Sequence, residues 1–272
     1  LAPVAGAAVE AAARRLRVGA QHELRSIAAA ARVARDGDTI EIEAGTYEGD
    51  VAVWTQDRLT VRAVGGPVRL HAAGAHAEGK GIWVVRAGRM LVEGLEFSGA
   101  RVPHQNGAGI KFEGGQLTVR NCRFIDNQMG ILTAGAGLSL DVVSCEFGHS
   151  APSERFNHQL YAGALDSLRV TACYFHHGRH GHLLKSRARR SLVRYCRLTD
   201  EADGQESYEI EFPNGGEAVV LGNLIQQSAA TGNPCMVSYG VEGLASGTRH
   251  GLWLSHNTLV DGASHAQPLF RF

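Results

Sequence analysis

One short pattern recurs along the chain at uneven intervals, and it limits the fold more than any other feature. A small or polar residue is followed by a ladder residue, a variable one and a large apolar one. The pattern reads GLEF at Leu95, NCRF at Cys122, SCEF at Cys145, ACYF at Cys173, YCRL at Cys196, GNLI at Asn223 and HNTL at Asn257. The ladder positions are 27, 23, 28, 23, 27 and 34 residues apart. That spacing is too irregular for a leucine-rich repeat, whose LxxLxL core is also missing. It suits stacked coils whose loops vary in length while their strands stay in register.

Between ladder positions the chain alternates with period two and breaks at Gly, Asn or Asp, as short strands do. One strand per coil lines up: GIWVV from Gly81, GIKFE from Gly109, GILTA from Gly130, QLYAG from Gln159, LLKSR from Leu183, EIEFP from Glu209 and MVSYG from Met236. Their central residues Ile82, Ile110, Ile131, Leu160, Leu184, Ile210 and Val237 are expected to stack inward, one strand spacing of about 4.8 Å apart. Parallel strands need such a column because no hairpin pairs them. Four of the five cysteines occupy the ladder, which turns to Asn at 223 and 257. A position that accepts Cys or Asn is read as packing, not as disulfide or metal chemistry.

The expected fold is all-β: a single-stranded right-handed parallel β-helix, or solenoid, with an N-terminal α-helical cap. The segment 24–34 has apolar residues at helical spacing and ends at the Asp36-Gly37-Asp38 turn. A helix there would cover the open edge of the first coil. Residues 1–23 are read as an N-terminal extension and 24–272 as the β-helix domain. The sequence closes on QPLFRF without a matching cap, so that coil is a candidate surface for a homo-oligomer.

Composition removes several partner classes. Lys+Arg and Asp+Glu are both 27, so no net field favours nucleic acid or an anionic membrane. No apolar run approaches a membrane span of about 18 residues. Arg14, Arg15 and Arg17 interrupt the Ala-rich start, which lacks the apolar core of a signal peptide.

The stretch AARVARDGDTIEIEAGTYEG, followed by coils reading VRNCRFIDNQMGI, resembles the pectate-lyase-like superfamily of right-handed parallel β-helix proteins. That resemblance covers nearly the whole chain from about residue 24. It implies an acidic polysaccharide as partner and a secreted or periplasmic, bacterial location. The superfamily includes lyases, hydrolases, epimerases, tailspikes and adhesins.

On such a solenoid the outward positions of one sheet form a groove, so the residues flanking the inward column are the candidates. Ionisable groups concentrate between residues 157 and 214, in NHQLY, GRHGHLLKSRARR and ESYEIEFPNGG. His158, His182 and Tyr208 are expected on successive coils, as are Tyr161, Lys185 and Glu211. Histidine, lysine and tyrosine carry protons when neighbours tune them. An arginine fork such as Arg187 receives a carboxylate. The stretch LLKSRARRSLVRYCRLTD also resembles the lysine-containing coil of the chondroitinase B and alginate lyase family. The resemblance makes Lys185 the base and brings in calcium as a candidate cofactor. This chain carries Glu211 and PNGG where that family has an Arg-His-Gly run, and no calcium-binding carboxylate set is evident.

Three readings follow. A polysaccharide lyase, or a C5-epimerase sharing its first steps, would use Arg187 with Lys111 to neutralise the uronate carboxylate. Lys185 or His182 would be the base and Tyr161 or His158 the acid, with Lys111, Glu209, Glu211, Tyr208 and Tyr239 binding substrate. A glycoside hydrolase would need two carboxyl groups about 5–9.5 Å apart, for which Glu209 and Glu211 are the candidates. A non-catalytic polysaccharide-binding or structural solenoid, adhesin or tailspike-like, would need only a polar groove. The run HHGRHGH at 176–182 is read as an exposed loop with stacked histidines, and no metal ligands are assigned. Trp83 and Trp253 are candidates for stacking on sugar rings.

Overall fold

The computed structural model describes residues 12–86, 88–233, 235–263 and 268–272. It is a parallel β-solenoid of about eight turns. Two parallel sheets, of 17 and 9 strands among the described residues, run its length. Each full coil contributes one strand to the smaller sheet and two to the larger. The coil around residue 190 illustrates this with Leu184–Ser186, then Arg190–Arg194, then Arg197–Thr199.

The ladder forms as expected. Each ladder residue accepts a backbone N–H from the coil before it: Cys122 Sγ from Leu95, Cys145 from Cys122, Cys173 from Cys145 and Cys196 from Cys173. Asn223 and Asn257 continue with Oδ1 as acceptor, at 2.9 and 3.0 Å. All five cysteines are free thiols and buried. Two positions beyond the ladder, Phe97, Phe124, Phe147 and Phe175 stack nearly parallel with centroids 5.1, 4.8 and 4.6 Å apart. Each such pair stabilises by about 0.5–1.5 kcal/mol beyond its buried area.

The inward column of the nine-stranded sheet pairs Ile110, Ile131, Leu160, Leu184, Ile210 and Val237 in register, as expected. Its first member differs. Trp83, not Ile82, is the partner of Ile110. Trp83 is fully buried, edge-on between Trp54 and Phe97 at 5.2 and 5.0 Å. A one-residue shift exchanges the two faces of a strand, so Trp83 is core rather than a sugar platform.

The helix is shorter than expected, Ile27–Val33, with Ser26 as N-cap. It buries Ile27, Ala30 and Ala31 and packs against Ala52–Trp54, the first strand of the nine-stranded sheet. The larger sheet instead begins with Arg15–Val18, which pairs with Thr39–Ile42. That strand lies within the segment read as an extension, so pairing begins before residue 24. No helix among the described residues is long and apolar enough to cross a membrane.

Candidate functional site

The outer face of the nine-stranded sheet carries a column that pairs coil by coil: Val84, Lys111, Leu132, Tyr161, Lys185, Glu211 and Ser238. Beside it a second column runs Met129, His158, His182 and Tyr208. Here each side chain accepts the backbone N–H of the following coil. Met129 Sδ takes that of His158 at 3.1 Å, His158 Nδ1 that of His182 at 2.9 Å, and His182 Nδ1 that of Tyr208 at 3.3 Å. The rings follow one another, His158 to His182 at 4.5 Å and His182 to Tyr208 at 5.0 Å. The direction is opposite to that of the cysteine ladder, whose acceptors lie one coil later.

This arrangement fixes the histidines chemically. A ring whose Nδ1 accepts an amide proton carries its own proton on Nε2 when neutral. Burial, then the nearby charges of His182, Lys185 and Arg187, hold His158 well below the ordinary imidazole value. His158 in its neutral form therefore presents Nε2–H as a donor. His182 Nε2 lies 2.9 Å from Glu211. With both its nitrogens engaged, His182 has no free lone pair to serve as a base.

Lys185 is held between two carboxylates, Glu211 at 2.7 Å and Glu242 at 3.1 Å. Burial pushes the Glu211 carboxyl up, but contacts with His182 and Lys185 outweigh it and keep the group below the usual carboxylate value. Arg187 spans three partners. Its Nε donates to Tyr161 Oη at 2.8 Å, Nη2 pairs with Glu242 at 2.7 Å, and Nη1 donates to Asn214 Oδ1. Tyr161 thus sits beside a guanidinium and edge-on to His158, at 5.3 Å between centroids. Tyr161, His158, His182, Lys185, Arg187, Tyr208 and Glu211 are brought together.

Four expected members fall elsewhere. Lys111 is in the outer column but separated from Tyr161 by Leu132, so it stands about 14 Å, three strand spacings, from Lys185. Leu132 and Tyr161 lie between it and the cation pair of Lys185 and Arg187. Glu209 is fully buried. The chain bends before the strand, so its position aligns with Gly130, where an added Cβ would strike the interior ring of Phe147 at 2.7 Å. Glu209 faces the interior beside Glu206, and burial first, then Glu206, pushes its carboxyl well above the usual value. The Glu209/Glu211 hydrolase pair therefore has one member inside the solenoid and one outside. Tyr239 aligns with Phe212 and donates its hydroxyl to Gly216 O at 2.7 Å, at the end of the Pro213–Gly216 turn. Trp253 is half exposed on the larger sheet, where it lines a depression of about 780 Å³ with Arg169, Arg190 and Glu217.

Two site residues carried no signal in the repeat pattern. Asn214 belongs to the Pro213–Gly216 turn; it receives Arg187 and donates to Gly243 O at 3.0 Å. Glu242 lies on the following loop, so the turn ties that loop to the cations. Calcium does not fit this cluster, because the Glu211 and Glu242 carboxylates are engaged by Lys185, Arg187 and His182 and a hard cation needs six to eight oxygens.

No protein-family model matches the sequence, and no curated protein matches it. Solved structures do. A pectin methylesterase from Aspergillus niger superposes with a TM-score of 0.61 at 10% identity, over 94% of this chain and 89% of that one. Pectate lyase Pel9A gives 0.58 at 12% identity, over 93% and 78%. A mutant pectin methylesterase in complex with a hexasaccharide gives 0.55 at 12% identity, over 94% and 92%. At these identities the likeness establishes the right-handed parallel β-helix fold.

Proposed function

We propose that this protein is a carbohydrate-active enzyme that removes a proton from a uronate ring, a polysaccharide lyase or C5-epimerase acting on an acidic polysaccharide outside the cytoplasm. One observation carries the reading. The carboxylate of Glu242 lies in a fork formed by Lys185 Nζ and Arg187 Nη2, next to the Tyr161 hydroxyl that Arg187 Nε holds. A uronate C6 carboxylate has the same chemistry and can replace Glu242 there. The paired cations would then stabilise the charge that develops when C5 loses its proton.

Roles differ from those expected. Lys185, between two carboxylates, is better suited to binding a carboxylate than to taking a proton. Tyr161 is the proton-transfer group, and Arg187 Nε–H donates to its oxygen. His158 Nε2–H is a donor to the sugar. In elimination the C5–H bond breaks toward Tyr161, its electron pair forms the C4–C5 double bond, and the C4–O4 bond breaks. The departing oxygen then takes that proton from the Tyr161 hydroxyl, which returns the site to its starting state. Solved folds of this shape include proteins named for pectin and pectate, which supports the substrate class.

The test is incubation with alginate, pectate and glycosaminoglycans while following ultraviolet absorbance of the unsaturated product. Deuterium uptake at C5 would report epimerisation. Tyr161→Phe should lower kcat by about 10²–10⁴-fold with little change in KM, whereas Arg187→Lys should chiefly raise KM. Full activity in Tyr161→Phe removes its role. Reducing ends without absorbance would identify a hydrolase, and binding without turnover a lectin-like protein; either overturns the reading.

A further inference from the structure

A second cluster of histidines lies on another corner of the solenoid, outside the proposed groove. His149 follows the strand Glu146–Gly148, and His176 ends the next strand of the same stack, Tyr174–His176, with His177 directly after it. Glu146 pairs with Tyr174 and Gly148 with His176 across the two coils. One ring nitrogen from each of His149, His176 and His177 can be chosen so that all lie within 4.8 Å of one another. We propose that these three imidazoles bind a divalent transition-metal ion of the zinc class.

The backbone builds this corner for three rings. His149 and His177 both have left-handed backbone, φ 51° and 48°, which turns their side chains to the same side, with rings stacked 4.3 Å apart. The His176 ring lies over Gly148. A Cβ at Gly148 would come within 2.1 Å of that ring, so only glycine leaves it room. The His149 ring meets His176 edge-on at 5.0 Å.

The hydrogen-bonding pattern is the second, independent observation. His176 Nε2 lies 3.3 Å from Glu146, and His177 Nε2 lies 3.2 Å from Asp203. His176 Nε2 is hydrogen-bonded to Glu146, and the Nδ1 atoms of His176 and His177 face each other in direct contact. Two facing ring nitrogens need a proton or a metal ion between them, and a metal ion can also engage His149. A carboxylate beside the far nitrogen, as His176 and His177 have, is also the usual outer shell of a histidine metal ligand, where it orients the ring and raises its basicity. Zinc–nitrogen bonds of about 2.0–2.1 Å require the rings to part slightly, and exposed His149 is free to turn. His149, His177 and Asp203 border an open cavity of about 200 Å³, which gives an ion access from solvent. Imidazole ligands select zinc, copper or nickel over calcium and magnesium.

The experiment is calorimetric titration of the chelator-stripped full chain with zinc chloride, calcium chloride serving as control. The expected result is one zinc per chain, no calcium binding at this site, and a zinc-dependent rise in Tm. His149→Ala changes an exposed side chain and should keep the Tm of the stripped protein while weakening zinc binding at least tenfold. The pair His176→Ala with His177→Ala should abolish it. His180→Ala, in the same run but outside the cluster, should leave binding unchanged. Zinc affinity unaltered in His149→Ala, or lost instead in His182→Ala, would overturn the proposal, as would no zinc binding at all.

Discussion

Lys185 Nζ lies 2.7 Å from a carboxylate oxygen of Glu211, and neither side chain is more than a tenth exposed. Removing Lys185 leaves the buried Glu211 carboxylate with His182 as its remaining partner, at a cost approaching the roughly 3–5 kcal/mol of a broken buried pair. Lys185→Ala should therefore be destabilised as well as inactive, and Lys185→Met with Glu211→Leu should recover most of the stability and none of the activity. Denaturant midpoints of the three proteins check this. If Lys185→Ala is as stable as the parent, the pair does not hold the site together.

Glu209 behaves in the opposite sense. Its carboxyl is raised well above the ordinary 4.5 by burial and by Glu206, so the folded state favours the protonated form. The associated stability is complete below the unfolded value and is lost as pH rises through the folded one. Glu209→Gln keeps the shape without the ionisation. It should raise Tm at pH 8 by about 2–4 °C for each kcal/mol relieved, with the gain vanishing toward pH 4. An equal Tm change at both pH values would remove the ionisation argument.

The thiol ladder predicts chemical inertness. The hydrogen bond shared with Cys145 pushes the Cys173 thiol up to about 12, and only a thiolate attacks an aromatic disulfide reagent. The native protein should release less than one equivalent of chromophore at pH 8, and the unfolded protein five. Cys173→Ala would strand the Cys145 N–H at a cost of about 1–3 kcal/mol. Cys196→Asn copies the next rung and should be better tolerated than Cys173→Ala; the reverse order in urea titrations would contradict the ladder's role.

Glu242 occupies the place proposed for a substrate carboxylate while almost half exposed. Its ion pairs contribute no more than about 1 kcal/mol to stability. Glu242→Ala should leave Tm nearly unchanged and lower KM for a polyuronate several-fold. A rise in KM would show that Glu242 contacts substrate instead of competing with it.

What the sequence revealed tracks the regularity of the coils. From Ile110 onward one residue per coil is inward and its outer neighbour is polar in every coil but that of Leu132, so the column could be read directly. At GIWVV every residue is buried on one side or the other, period two disappears, and Trp83 was placed on the wrong face. Glu209 was misplaced for a different reason. The bend before each strand resets the alternation, and the clue was the column Gly109, Gly130, Gln159 and Leu183, which holds no outward-type charge. Glu242 and Asn214 sit in a turn and loop that no repeat encodes, so only the folded chain brings them to Arg187. His149 and His176 were likewise separated by a full coil, and their meeting depends on a glycine whose purpose is invisible until the ring lies over it.

The groove is assembled one rung per coil: Tyr161 from one turn, Lys185 from the next, Glu211 from the one after. In the sheet each rung pairs only with the rungs above and below, and Glu242 reaches back across two coils to Lys185 and Arg187. Changing a side chain at 161 is therefore felt at 132 and 185, while 238 stays where it was. A catalytic surface built this way can be re-specified layer by layer, trading one coil's chemistry for another's without renegotiating the rest of the molecule.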